Sequence, residues 1–192
     1  MKKGAYILFI LTNLLVLNSF AQATIDSTNI DSLLLAKKEA YYPKTFTLED
    51  SVFEVGSVLL EDIKFGYNYS GILKESFPFL DSLSNFIKHN KKLQLEISHY
   101  TDYRGKEAYN NKLSKRRANC IKETLVAEGV SELILISFGK GESELIISKE
   151  ETLALPTKRL QEKAHALNRR TEFKITKKVF NKTTPNTSNI IH

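Results

Sequence analysis

The stretch from His99 to Arg117, HYTDYRGKEAYNNKLSKRR, gathers the side chains best suited to hold a small charged molecule. One carboxylate, Asp102, falls in a short loop ahead of a helix, and one guanidinium, Arg117, falls within that helix, with the amide of Asn110 between them. Such a set can take a ligand with an ammonium at one end and a carboxylate at the other, through charge-assisted hydrogen bonds. On a helical wheel Leu113, Cys120, Ile121 and Leu125 cluster on one side, and Arg117 lies in the middle of that apolar stripe. A guanidinium there needs an anion. The anion is either a ligand or an internal partner, Asp102 or Glu172, in a structural salt bridge. Lys112, Lys115 and Arg116 point elsewhere and read as solvated surface. Glu96, His99 and Asp102 do not make an acid/base set, because Glu96 and Ser98 alternate with core positions on a strand and no nucleophile pairs with a base. Cys120, at a helical core position, reads as a small buried hydrophobe. The residues predict binding without turnover, with no metal and no cofactor.

The elements around this stretch follow from periodicity. Leu93, Leu95 and Ile97 alternate with Gln94, Glu96 and Ser98, which predicts a half-buried strand ending at the Asp102 loop. The helix after the loop spans about 106–128, and Gly129 supplies its left-handed stop. Upstream, alternation from Thr45 predicts a first strand ending near Phe65, followed by the loop GYNYSG. Phe79, Leu80, Leu83, Phe86 and Ile87 recur at intervals of three and four, predicting a helix over 74–88 that buries one face. Downstream, SELILISF at 131–138 is dense enough in branched residues for the middle of a sheet, and Gly139 to Glu142 turns it. GKGE lacks the spacing and the Lys-Ser or Lys-Thr pair of a phosphate loop. A loop over 148–157, a helix over 157–167 and a last strand over 171–176, with Phe173 and Ile175 on one face, complete the order.

The 192 residues are 26% charged and 42% apolar, ordinary for one globular domain with short flanks. Lys2 and Lys3, the apolar run from Ala5 to Leu17 and the small residues Ser19 to Ala23 read as a signal peptide over 1–23, cleaved after Ala21 or Ala23. The other reading of that run is an uncleaved membrane anchor, for which it is short. A leader follows over 24–44, in which DSLLLAKKEA makes one or two helical turns and Tyr41-Tyr42-Pro43 breaks them. The domain occupies 45–178, and a polar tail 179–192. The formal charge of +6 falls by two with the signal peptide, which is too small and dispersed an excess for nucleic acid. No later stretch approaches the roughly 20 apolar residues of a membrane helix. One cysteine excludes an internal disulfide, and four histidines show no metal-ligand spacing.

Three separated motifs carry a resemblance: the TD-x-x-G loop, the N-x-x-L-S-x-x-R-A helix start and the N-R-R-x-E strand. In that order and spacing, over about 57–175, the chain resembles the OmpA-like C-terminal domain family of bacterial envelope proteins. The resemblance implies an α+β fold, a mixed sheet of about four strands with helices packed on one face. It also implies noncovalent binding of peptidoglycan, tethering an envelope component to the wall in the periplasm or at the outer membrane. In that family the loop aspartate and the helix arginine hold the diaminopimelate of the stem peptide, and these match Asp102 and Arg117. Asn110, Arg169 and Asn68 match further ligand-binding positions. The stem peptide is the implied partner. The alternative is a structural adaptor of the same fold that holds an envelope protein, with wall binding weak or lost. One departure stands out: His99 occupies a place where the family carries glycine, and a positive φ or a close ligand approach there would make the side chain strain or narrow the site.

Overall fold

The computed structural model describes residues 27–50, 53–67, 69–90 and 93–178. The expected signal peptide, the polar tail and Asn68 lie outside the described residues. The chain divides between Tyr41 and Tyr42 into two units. The first contributes helix α1, Ser27–Tyr41, four turns rather than the one or two expected. Its run of leucines, alanines and lysines favours helix. It ends before Pro43, which disfavours helical backbone in the residue ahead of it.

The second unit is built on β1 (Val58–Glu61), α2 (Phe77–His89), β2 (Leu93–Tyr100), α3 (Glu107–Ala127), β3 (Leu135–Gly141), α4 (Lys149–Ala154), α5 (Lys158–Asn168) and β4 (Thr171–Lys178). The four strands form one sheet in the order β1-β4-β2-β3, antiparallel except for the β2–β3 pair. This is the mixed α+β sheet expected. Its core face runs through Leu59, Phe173, Ile175, Leu95 and Ile97, and α2 and α3 cover it with Leu80, Leu83, Phe86, Ile87, Ile121 and Leu125. Phe46 and Phe53 close one side by packing on the Phe86 ring.

Several element expectations are corrected. The first strand shrinks to four residues, because a turn at Val55–Gly56, with Gly56 at φ 93°, interrupts the alternation before it. The segment over 131–138 does not lie in the middle of the sheet. Its first half is a 3-10 turn, Glu132–Ile134, and β3 is an edge strand. Its apolar density is only half used: Leu135 is buried, whereas Leu133 is 88% and Phe138 44% exposed. Gly139 and Gly141 are not a turn but the last residues of β3. A Cβ on Gly139 would stand 2.1 Å from the Lys115 backbone nitrogen, so glycine there lets α3 lie directly on the strand. The expected loop over 148–157 contains α4, started by a capping box in which Ser148 accepts from the Glu151 amide and Glu151 accepts from the Ser148 amide. Cys120 is half-buried rather than in the core, and Ala118 is fully buried.

Candidate ligand-binding site

The C-terminal end of β2 emerges from under α3 into an open cleft of about 580 Å³. Asp102, Asn110, Arg117 and Arg169 all line it. Asp102 follows the strand by two residues and is only 5% exposed. Its Oδ1 accepts from the Arg104 backbone amide at 2.9 Å, an Asx-type turn that fixes the loop. Its Oδ2 accepts from Arg104 Nη2 and from Arg169 Nη1, each at 2.7 Å. Burial raises the pKa of the Asp102 carboxyl, but the Arg104 and Arg169 hydrogen bonds outweigh it and hold the group below the usual carboxylate range.

Glu162 of α5 accepts from the same two arginines, Arg104 Nη1 at 2.8 Å and Arg169 Nη2 at 2.8 Å. Asp102, Arg104, Glu162 and Arg169 therefore form a closed ring of alternating charge on one wall. Neither periodicity nor motif points to Arg104 and Glu162. The one local signal is the arginine two residues after Asp102, within reach of its side chain, whereas Arg169 meets Glu162 from the extended residue just past the end of α5.

Arg117, half-buried on α3, pairs with neither Asp102 nor Glu172. Its Nε donates to the Tyr69 carbonyl at 3.1 Å and its Nη2 to the Gly66 carbonyl at 3.4 Å, which ties both residues to α3. The guanidinium lies over the Phe65 ring, 4.7 Å from its centroid. Burial, together with the Arg169 and Arg116 charges, lowers its pKa against the opposing effect of Tyr109. Glu172 is engaged elsewhere: it accepts from the Tyr42 hydroxyl, from Tyr100 and from Arg170, whose guanidinium stacks on the Tyr100 ring at 3.6 Å.

Asn110 is buried, and its Nδ2 donates to the Asp102 and Arg104 carbonyls and, at 2.6 Å, to Glu142. That nitrogen ties the 102–105 loop, with Gly105 at φ 107°, to the segment after β3. The structure therefore brings Asp102, Asn110, Arg117 and Arg169 to one cleft. His99 joins them. Its backbone pairs with Gly139 on one side and Thr171 on the other, and the register with β3 shifts between His99 and Tyr100.

Residues 64–155 match the model of the OmpA family. The outer membrane porin F of Pseudomonas fluorescens is 32% identical over 111 residues, 58% of this chain and 31% of that protein. The peptidoglycan-associated lipoprotein of Legionella pneumophila is 30% identical over 111 residues, 57% of this chain and 56% of that protein. The chain thus spans less than two thirds of the length of either relative. Among solved structures, the periplasmic domain of Helicobacter pylori MotB superposes with a TM-score of 0.52 at 18% identity, covering 68% of this chain and 82% of that one. The cell wall anchor of the T6SS from Pseudomonas aeruginosa gives 0.50 at 20% identity, covering 63% and 81%. Both share the fold. The segment that carries Asp102, Asn110 and Arg117 is thus similar to the OmpA family.

Proposed function

We propose that this protein is exported and binds peptidoglycan noncovalently, without turnover, and that it thereby tethers an envelope component to the wall. The bound group is the diaminopimelate of the stem peptide. Asp102 takes its ammonium end from one wall of the cleft, and Arg117 takes its carboxylate. The observation that carries this reading is Arg117 itself: a half-buried guanidinium that faces a cleft with only backbone carbonyls as hydrogen-bond acceptors among the described residues. Desolvated cations are stabilised by an anionic partner, and a planar fork suits a carboxylate. The likeness to the OmpA family and the name of the Legionella pneumophila relative support peptidoglycan as the ligand.

Sedimentation with purified sacculi tests it. Wild type is expected to pellet, with Asp102→Ala and Arg117→Ala each weakening binding roughly 10- to 100-fold, the loss of a hydrogen-bonded charge. Equal pelleting of all three would sink the assignment. The adaptor reading draws on a different observation, that Asp102 is already neutralised by Arg104 and Arg169. It is favoured if wild type does not pellet at all.

A further inference from the structure

The core face of β2 changes character along its length. Leu93, Leu95 and Ile97 are apolar and buried, and the next residue on that face is His99, which is as buried as they are yet lines the cleft. Its Nδ1 lies 3.0 Å from the Thr171 hydroxyl. Its Nε2 is buried and has no hydrogen-bond partner among the described residues. The Thr101 hydroxyl, two residues on and also lining the cleft, is in the same condition. Native proteins leave few buried polar atoms unsatisfied, and each such atom needs an explanation. The His99 ring stands edge-on to Phe65 at 5.1 Å, and the same Phe65 ring carries the Arg117 guanidinium. His99 and Arg117 therefore flank one aromatic ring at one end of the cleft.

Resting on the reading above, we propose that His99 is a ligand-contacting residue whose Nε2–H donates to the carboxylate that Arg117 takes, and that together they select a free carboxylate over a carboxamide. Burial and the Arg117 and Arg170 charges keep the ring neutral, so only one of its nitrogens carries a proton. In the proposed tautomer the Thr171 hydroxyl donates to Nδ1 and that proton sits on Nε2. A carboxylate offers acceptors to both donors. A carboxamide replaces one acceptor with an NH₂ group, which would face a donor and leave it unpaired, the arrangement that discriminates most strongly in buried sites. The residue that departs from the family's glycine thus supplies a contact instead of an obstruction.

The test uses the full mature chain and two synthetic stem peptides, one with the diamino acid's free carboxylate and one with that group amidated. His99→Phe keeps the ring against Phe65 and removes both nitrogens. Wild type is expected to prefer the acid peptide. His99→Phe is expected to lose roughly tenfold or more on the acid peptide and to bind both peptides alike. In wild type, ¹⁵N spectra should find His99 as the Nε2–H tautomer, with that nitrogen shifting when the acid peptide binds. Unchanged affinity in His99→Phe, or an unperturbed His99 nitrogen while Arg117→Ala abolishes binding, overturns this inference alone. Failure of wild type to bind either peptide overturns the proposed function with it. If His99→Phe does not fold, the ¹⁵N shift in wild type decides.

Discussion

His99 also links the cleft to the stability of the domain. Burial is the main cause that pushes its pKa down, to about 3, with the Arg117 and Arg170 charges adding to it. In the unfolded chain a histidine titrates near 6.5. Below that pH the unfolded state binds a proton that the folded state refuses, so stability falls as pH falls until the folded pKa is reached. The loss expected at pH 5 is about 2 kcal/mol. Denaturant unfolding of wild type and His99→Phe at pH 7.5 and pH 5 would measure it, and the same pH dependence in both variants would assign the effect elsewhere. His165, close to Asp102 and also lowered by burial, contributes in the same direction and is unchanged in this comparison. A second prediction belongs here. Arg117→Lys keeps the charge but not the fork that reaches two carbonyls, and so it should weaken sacculus binding almost as much as Arg117→Ala.

At the scale of elements, the contact between α3 and β3 sets the cleft's geometry, because α3 carries Asn110 and Arg117 while the segment after β3 carries Glu142. Gly139→Ala places a methyl group inside the Lys115 backbone, and α3 must move to admit it. The expected cost is about 1–3 kcal/mol in chemical unfolding, with a loss of ligand affinity as Arg117 moves with its helix. A variant as stable as wild type would mean that the helix slides freely. The sequence was legible where one periodicity ran without interruption: α2, β2, α3 and β4 follow from their apolar patterns, and the places of Asp102 and Arg117 from the loop after β2 and from α3. It misled where apolar density had two explanations. SELILISF reads as a central strand by composition, but part of it is a 3-10 turn and the rest is an edge strand satisfied by a helix on one face. Nor does local sequence reveal partners remote along the chain, such as Glu162 for Arg104 or the carbonyls of Gly66 and Tyr69 for Arg117.

At the scale of the sheet domain, one core joins the sheet to α2 and α3, and Phe173 lies in it with no exposed surface. Phe173→Ala should cost about 3–5 kcal/mol and lower the unfolding midpoint of the entire sheet domain. Loss of one local element alone would argue against a single core. On the opposite face Tyr42 bonds to Glu172 and Arg170, so the sheet domain starts at that tyrosine, three residues before the alternation that first suggested a strand. The ring of Asp102, Arg104, Glu162 and Arg169 has a consequence of another kind. Its charges already balance, so an incoming ammonium does not add an ion pair to Asp102 but trades places with an arginine. Recognition there is an exchange reaction, and dissolved salt weakens both sides of it alike. The ammonium end should therefore add little salt dependence to stem-peptide affinity from about 50 to about 500 mM, leaving the slope to the carboxylate on Arg117. Titrations of wild type and Arg117→Ala across that range would measure it, and a steep slope that survives in Arg117→Ala would mean that the ring does not close in solution.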